Sequence, residues 1–108
     1  MKYIYSISNP LTNEVFYVGA TLNIEQRAKQ HISPSICYRC TEMIQSIIKS
    51  GSMPLFTVLE IAEDNWREVE KKWIYHFIEK GEPMLNTETK WYAKQKLFSK
   101  CIVMLPNN

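Results

Sequence analysis

Cysteine is scarce in this 108-residue chain, and its three copies are an odd number with no pairing pattern. That excludes a disulfide framework and makes a reducing, cytoplasmic setting the expectation. Long apolar runs are missing too. The longest, such as Ile102–Leu105, are far too short to cross a bilayer, so no membrane partner is expected. No charged n-region followed by an apolar stretch opens the chain, and no secretion signal is expected. Repeats, linkers and low-complexity tracts are absent. What remains is 45% hydrophobic and 22% charged, the balance of an ordinary globular chain with room for one domain.

Excess charge of one sign is also lacking, since the net charge is only +2. Its distribution is less even. From Thr87 onward, Lys90, Lys94, Lys96 and Lys100 stand against Glu88 alone, giving that segment about +3 and the remainder about −1. Trp91 and Tyr92 lie among these lysines. Lysines neutralise phosphates and aromatic rings stack on bases, so Lys90, Trp91, Lys94 and Lys96 are candidate DNA contacts. The alternative is a solvated C-terminal helix or tail.

Patterning predicts the element order β-β-α-α-β-α, an α+β fold with a small mixed sheet and helices packed on it. Residues 3–8 and 15–19 alternate and are β-rich, and the Asn- and Pro-containing residues between them make a hairpin the natural connection. Asn23 followed by Gln26 has the form of a capping box, starting a helix that runs to about Ile32, before Pro34. A second helix is predicted from about Arg39 to Lys49 and stopped by Gly51. Leu55–Ile61 follows as a third strand, and the longest helix runs from about Asn65 to Lys80, closed by Gly81.

Several residues do not suit a plain core. On the long helix Trp66, Trp73, Ile74 and Phe77 fall on one stripe, and Glu70 projects into its middle, while Glu68 and Glu79 lie opposite. A carboxylate aimed at a core is costly unless paired, hydrogen-bonded or metal-bound. Arg27 and His31, one helical turn apart, flank the apolar stripe Ile24/Ala28/Ile32 of the first helix. Each taken alone suits a surface or cap position. Gly19 suits a turn or a close backbone approach. Tyr5 and Tyr17 suit core aromatics with hydroxyls at the rim, and whether they share a face depends on a register that the six-residue connection leaves open. Cys37-x-x-Cys40 has the spacing of half a zinc site, which His31 and Cys101 would have to complete; without a second close pair, inert or mildly reactive thiols are the better reading.

Taken in order, Tyr3-Ile4-Tyr5, Tyr17-Val18-Gly19, Arg27, His31, Glu70 and Asn86 resemble the GIY-YIG nuclease domain. The resemblance spans about residues 3 to 86, with Tyr3 where the first motif has glycine and Val18 where the second has isoleucine. It implies a three-stranded antiparallel sheet flanked by three or more helices and a nuclease domain over about residues 1–88, with the basic, aromatic residues 89–108 expected as a C-terminal helix or tail packed on the same domain. It also implies metal-dependent cleavage of DNA, with 3′-hydroxyl and 5′-phosphate products, Mg²⁺ or Mn²⁺ as cofactor and no small-molecule cofactor. On this resemblance Glu70 holds the ion and Tyr5 acts as, or positions, the general base. A phenol with a pKa of about 10 is a poor base at neutral pH, so His31 is expected to activate it through a hydrogen bond. Arg27 would grip the scissile phosphate, Tyr17 would orient phosphate or water, Gly19 would admit a close backbone approach, and Asn86 would hold a loop or Glu70 in place. A stand-alone bacterial or phage enzyme, monomeric or weakly dimeric, is the corresponding expectation. A catalytically inactive nucleic-acid-binding module on the same fold is the alternative.

Overall fold

The computed structural model describes residues 1–33 and 39–86. Its elements follow the predicted order: β1 (Lys2–Ser8), β2 (Val15–Thr21), α1 (Ile24–Ile32), α2 (Thr41–Lys49), β3 (Leu55–Ala62) and α3 (Trp66–Glu79). The local signals act as expected at the helix ends. Asn23 Oδ1 accepts the Gln26 amide at 3.1 Å to start α1. Gly51 and Gly81 sit just past α2 and α3 at φ +93° and +85°, a conformation that costs a side-chain-bearing residue dearly. Boundaries differ by a residue or two, most at α2, which begins at Thr41 because Cys40 takes the cap.

The sheet is antiparallel with strand order β2-β1-β3. Because side chains alternate across a strand, the central strand divides the core in two. Ile4, with Val18, Ala20 and Ala62, packs against Val69, Ile74 and Phe77 of α3. Tyr5 and Ile7, with Phe16, pack on the other side against Cys40, Ile44 and Ile47 at and within α2. Each large aliphatic or aromatic side chain so buried contributes about 1.5–3 kcal/mol. The tryptophans expected in the core are only half-buried at its rim. Trp73 Nε1 donates to Glu60 Oε1 at 3.0 Å, and Lys2 lies 4.7 Å from the ring centre of Trp66. An indole with a polar N–H is more cheaply satisfied at a rim than in a core.

Hairpin register settles the question the connecting loop left open. Tyr5 pairs with Gly19 and Ile7 with Tyr17, after which Ser8 pairs with Val15 and leaves Phe16 as the extra residue of a bulge. Tyr5 and Tyr17 therefore share a face. The outer edge of β2 is laced shut. Leu85 N donates to Phe16 O at 2.7 Å, Val15 N donates to Glu82 Oε2 at 3.1 Å, and Asn86 pairs with both backbone groups of Val18. A sheet edge satisfied in this way cannot template pairing with another chain.

Candidate active site

The centre of the site is made by a missing side chain. Gly19 lies directly across from Tyr5, and a Cβ there would come within 2.9 Å of Tyr5 Cε1, 2.6 Å of Cζ and closer still to the hydroxyl oxygen. Its backbone is not in the left-handed region, so glycine is required here for space rather than for torsion. The close approach it admits in this structure is that of the Tyr5 ring itself. The ring lies against Gly19 of β2, fully buried, and directs its hydroxyl at His31, where the oxygen and Nε2 are 2.7 Å apart. Tyr17 closes the group, its ring centre 6.5 Å from that of Tyr5 and 5.4 Å from the imidazole.

His31 is buried far more deeply than an isolated helical histidine would suggest, with no exposed surface. Phe56 of β3 packs on its ring at 6.0 Å between centres, and Cys40 places Sγ 3.6 Å from Nδ1. Both imidazole nitrogens thus have a partner within the protein. Neither Phe56 nor Cys40 stood out as a site residue in the sequence. Phe56 looks like any strand aromatic, and Cys40 drew attention only as half of a zinc spacing.

This enclosure disfavours charge throughout. Burial, helped by the neighbouring Tyr17 phenol, pushes the Tyr5 hydroxyl well above its ordinary range, and the Arg27 guanidinium only partly opposes it. Burial first, and the Arg27 cation second, lower His31 to about 4. Burial pushes the Cys40 thiol up to about 12. At neutral pH the three groups form a neutral chain, phenol to imidazole to thiol. The hydrogen bond expected between His31 and Tyr5 is present, yet the phenol of the resting protein is raised by burial rather than lowered.

Arg27 sits half-buried one turn before His31, its Nε donating to Gln30 Oε1 at 3.2 Å and one terminal nitrogen donating to Ala20 O at 3.4 Å. It therefore reaches the rim of β2 and remains close enough to influence both Tyr5 and His31. Asn86 is buried against that strand two residues back, its Oδ1 accepting from Val18 N at 3.1 Å and its Nδ2 donating to Val18 O at 2.7 Å. It anchors the chain segment after α3 to β2. Glu70 lies half-buried one turn after Trp66 and one turn before Ile74, on the side of α3 that packs chiefly across β2. Tyr3, in the place of the motif glycine, is half-buried between Thr21 and Ile61 on the same face as Tyr5. Lys90, Trp91, Lys94 and Lys96, like Cys37 and Cys101, lie outside the described residues.

Among the described residues no three His, Cys, Asp or Glu side chains gather as a metal cage. One half-buried carboxylate such as Glu70 suits a hard divalent ion that keeps most of its waters.

No described helix is long and apolar enough to cross a membrane. Comparison with curated proteins and with solved structures returns no significant match. The family model of the GIY-YIG catalytic domain matches residues 1–100, nearly the whole chain. A three-stranded antiparallel sheet with three helices among the described residues, and a buried cluster built from both tyrosine motifs, accompany that match. The chain belongs to the GIY-YIG catalytic domain family, a family of nucleases.

Proposed function

We propose that this protein is a metal-dependent DNA endonuclease that hydrolyses phosphodiesters to 3′-hydroxyl and 5′-phosphate ends. The observation that carries this reading is the buried hydrogen bond between Tyr5 and His31, which exists only because Gly19 leaves room for the phenol. A core built for stability alone would be served better by an apolar pair, since burying polar groups costs desolvation even when they are satisfied.

The residues divide the work by chemistry. With its proton donated to His31 Nε2 and one lone pair engaged by Arg27, the Tyr5 oxygen keeps a lone pair for an attacking water. As that water gives its proton to Tyr5, Tyr5 passes its own to His31, so neither free phenolate nor hydroxide accumulates. Arg27 supplies a guanidinium for two-pronged contact with the phosphate, exchanging its long bonds to Ala20 O and Gln30 for stronger charge-assisted ones. A phosphate that neutralises Arg27 also removes one of the two causes holding His31 low, which makes the imidazole a better proton acceptor when substrate is in place. Tyr17 borders Tyr5 and His31 and orients water or phosphate. Glu70 would hold Mg²⁺ or Mn²⁺, whose chemistry when bound is to stabilise developing charge on the phosphate and leaving oxygens. Lys90, Trp91, Lys94 and Lys96 would contact DNA beyond the site.

Nicking of supercoiled plasmid in Mg²⁺, Mn²⁺ or EDTA, beside Glu70→Ala, tests this. Metal-dependent nicking by the wild type, abolished in the variant, is expected. Cleavage that survives the substitution refutes the role of Glu70. Salt-sensitive DNA binding with no cleavage in any metal refutes the enzyme reading in favour of a binding module.

A further inference from the structure

Cys40 occupies the N-cap of α2, a position where Ser, Thr, Asn or Asp normally accepts from the first amides of the helix. Its side chain makes no capping bond. It turns inward, with Sγ 3.6 Å from His31 Nδ1, and both residues have no exposed surface. The capping interaction is thus forgone and the sulfur is spent on the imidazole.

Two proton arrangements fit the chain from Tyr5 to Cys40. In one, the phenol O–H donates to Nε2 and Nδ1–H donates to Sγ. In the other, the thiol donates to Nδ1 and Nε2–H donates to the phenol oxygen. The 2.7 Å separation at Nε2 matches a hydroxyl donor, whereas N–H···O bonds centre on about 2.9–3.0 Å. The first arrangement also joins the better donor to the better acceptor and leaves the sulfur, weak in both roles, to receive an N–H. Burial keeps all three groups neutral, so neither thiolate nor imidazolium forms to override that choice.

We propose that Cys40 is a positioning residue that accepts Nδ1–H of His31 and thereby holds the tautomer whose bare Nε2 receives the Tyr5 hydroxyl proton. Cys40 touches neither substrate nor metal in this role. It decides which imidazole nitrogen faces the phenol, and the wrong tautomer would present a donor where the relay needs an acceptor. The catalytic consequence rests on the nuclease reading above, while the tautomer does not.

The test is nitrogen NMR of the full chain labelled with ¹⁵N-histidine at pH 7.5 without DNA, the two histidines being distinguished with His76→Gln. A protonated Nδ1 and bare Nε2 at His31 are expected in the wild type. Cys40→Ala and Cys40→Val, one opening space and the other filling it, are both expected to show the opposite tautomer in substantial proportion. Both should lower kcat about tenfold or more, with little change in KM. A wild-type proton on Nε2 overturns the proposal without any variant. So does a His31 tautomer that either folded variant leaves unchanged. Failure of the wild type to cleave DNA would instead refute the nuclease reading and leave the tautomer result standing.

Discussion

Replacing Gly19 by alanine adds one methyl group at the point where the structure has least room. The new carbon would lie 2.6 Å from Tyr5 Cζ and 2.9 Å from Cε1, separations that real side chains do not sustain. The backbone itself would welcome the change, since glycine within a strand costs about 0.5–1 kcal/mol relative to alanine. Against that stands overpacking, about 1–3 kcal/mol. Tyr5 has no exposed surface and is flanked by the Tyr17, His31 and Phe56 rings, so the ring can yield only by leaving His31. A buried Nε2 stripped of its partner adds about 1–3 kcal/mol more. The net expectation is a loss of about 3 kcal/mol, read as a lower urea midpoint at unchanged slope. The decisive measurement is the double-mutant cycle with Tyr5→Phe. That change removes the oxygen of closest approach and the hydrogen bond together, so Gly19→Ala should cost at least about 1 kcal/mol less in its background. Equal penalties in both backgrounds, within about 0.5 kcal/mol, would refute the claim that glycine is there to seat the phenol.

The remaining expectations concern charge and edges. Unfolded His31 takes up a proton near pH 6.5 and folded His31 only near pH 4, so the unfolded state binds more protons between those values and stability falls as pH falls through that window. Between pH 7.5 and 5 this amounts to about 2 kcal/mol, which urea melts should show in the wild type and not in His31→Phe. Asn86→Ala strips partners from Val18 N and O, and should cost about 2–4 kcal/mol and speed amide hydrogen exchange at Val18, whereas unchanged exchange there would contradict the anchoring role. Arg27→Lys keeps the charge and loses the two-pronged geometry, so cleavage should fall about a hundredfold in kcat with DNA affinity nearly retained in a gel-shift titration.

The parts of the fold legible in the sequence are those that local physics determines. Asn23 before Gln26, and a glycine after each of two apolar helical stripes, mark helix ends correctly because capping involves residues three or four apart. The pairing of the tyrosines was not legible, since it turns on a one-residue bulge at Phe16 that neither loop length nor alternation encodes. His31 shows a harder limit. Its position on α1 looked peripheral, and residues distant in sequence, among them Tyr5, Tyr17, Phe56 and Cys40, bury it. The lacing of β2 by Glu82, Leu85 and Asn86 is equally long-range. The family resemblance nominated Asn86, but only the structure shows that its partner is the backbone of Val18 rather than another side chain.

Tyr5, His31 and Cys40 share one property that separates them from a merely well-satisfied core. Each is held by burial in the form that carries no charge, and the neighbouring Arg27 cation acts differently on each member of the central pair, easing ionisation of Tyr5 while opposing that of His31. A proton moved from phenol to imidazole in this resting state would create two buried charges at once, each disfavoured by desolvation. The transfer becomes affordable only when outside charges enter, a cation to favour the phenolate and a phosphate to engage Arg27 and favour the imidazolium. Those are the charges a metal-bound DNA backbone would bring. On the proposed mechanism, the same burial that makes Tyr5 an unreactive phenol in the resting protein would make its activation conditional on substrate, a useful property for a nuclease that must spend most of its time beside nucleic acid it should leave intact.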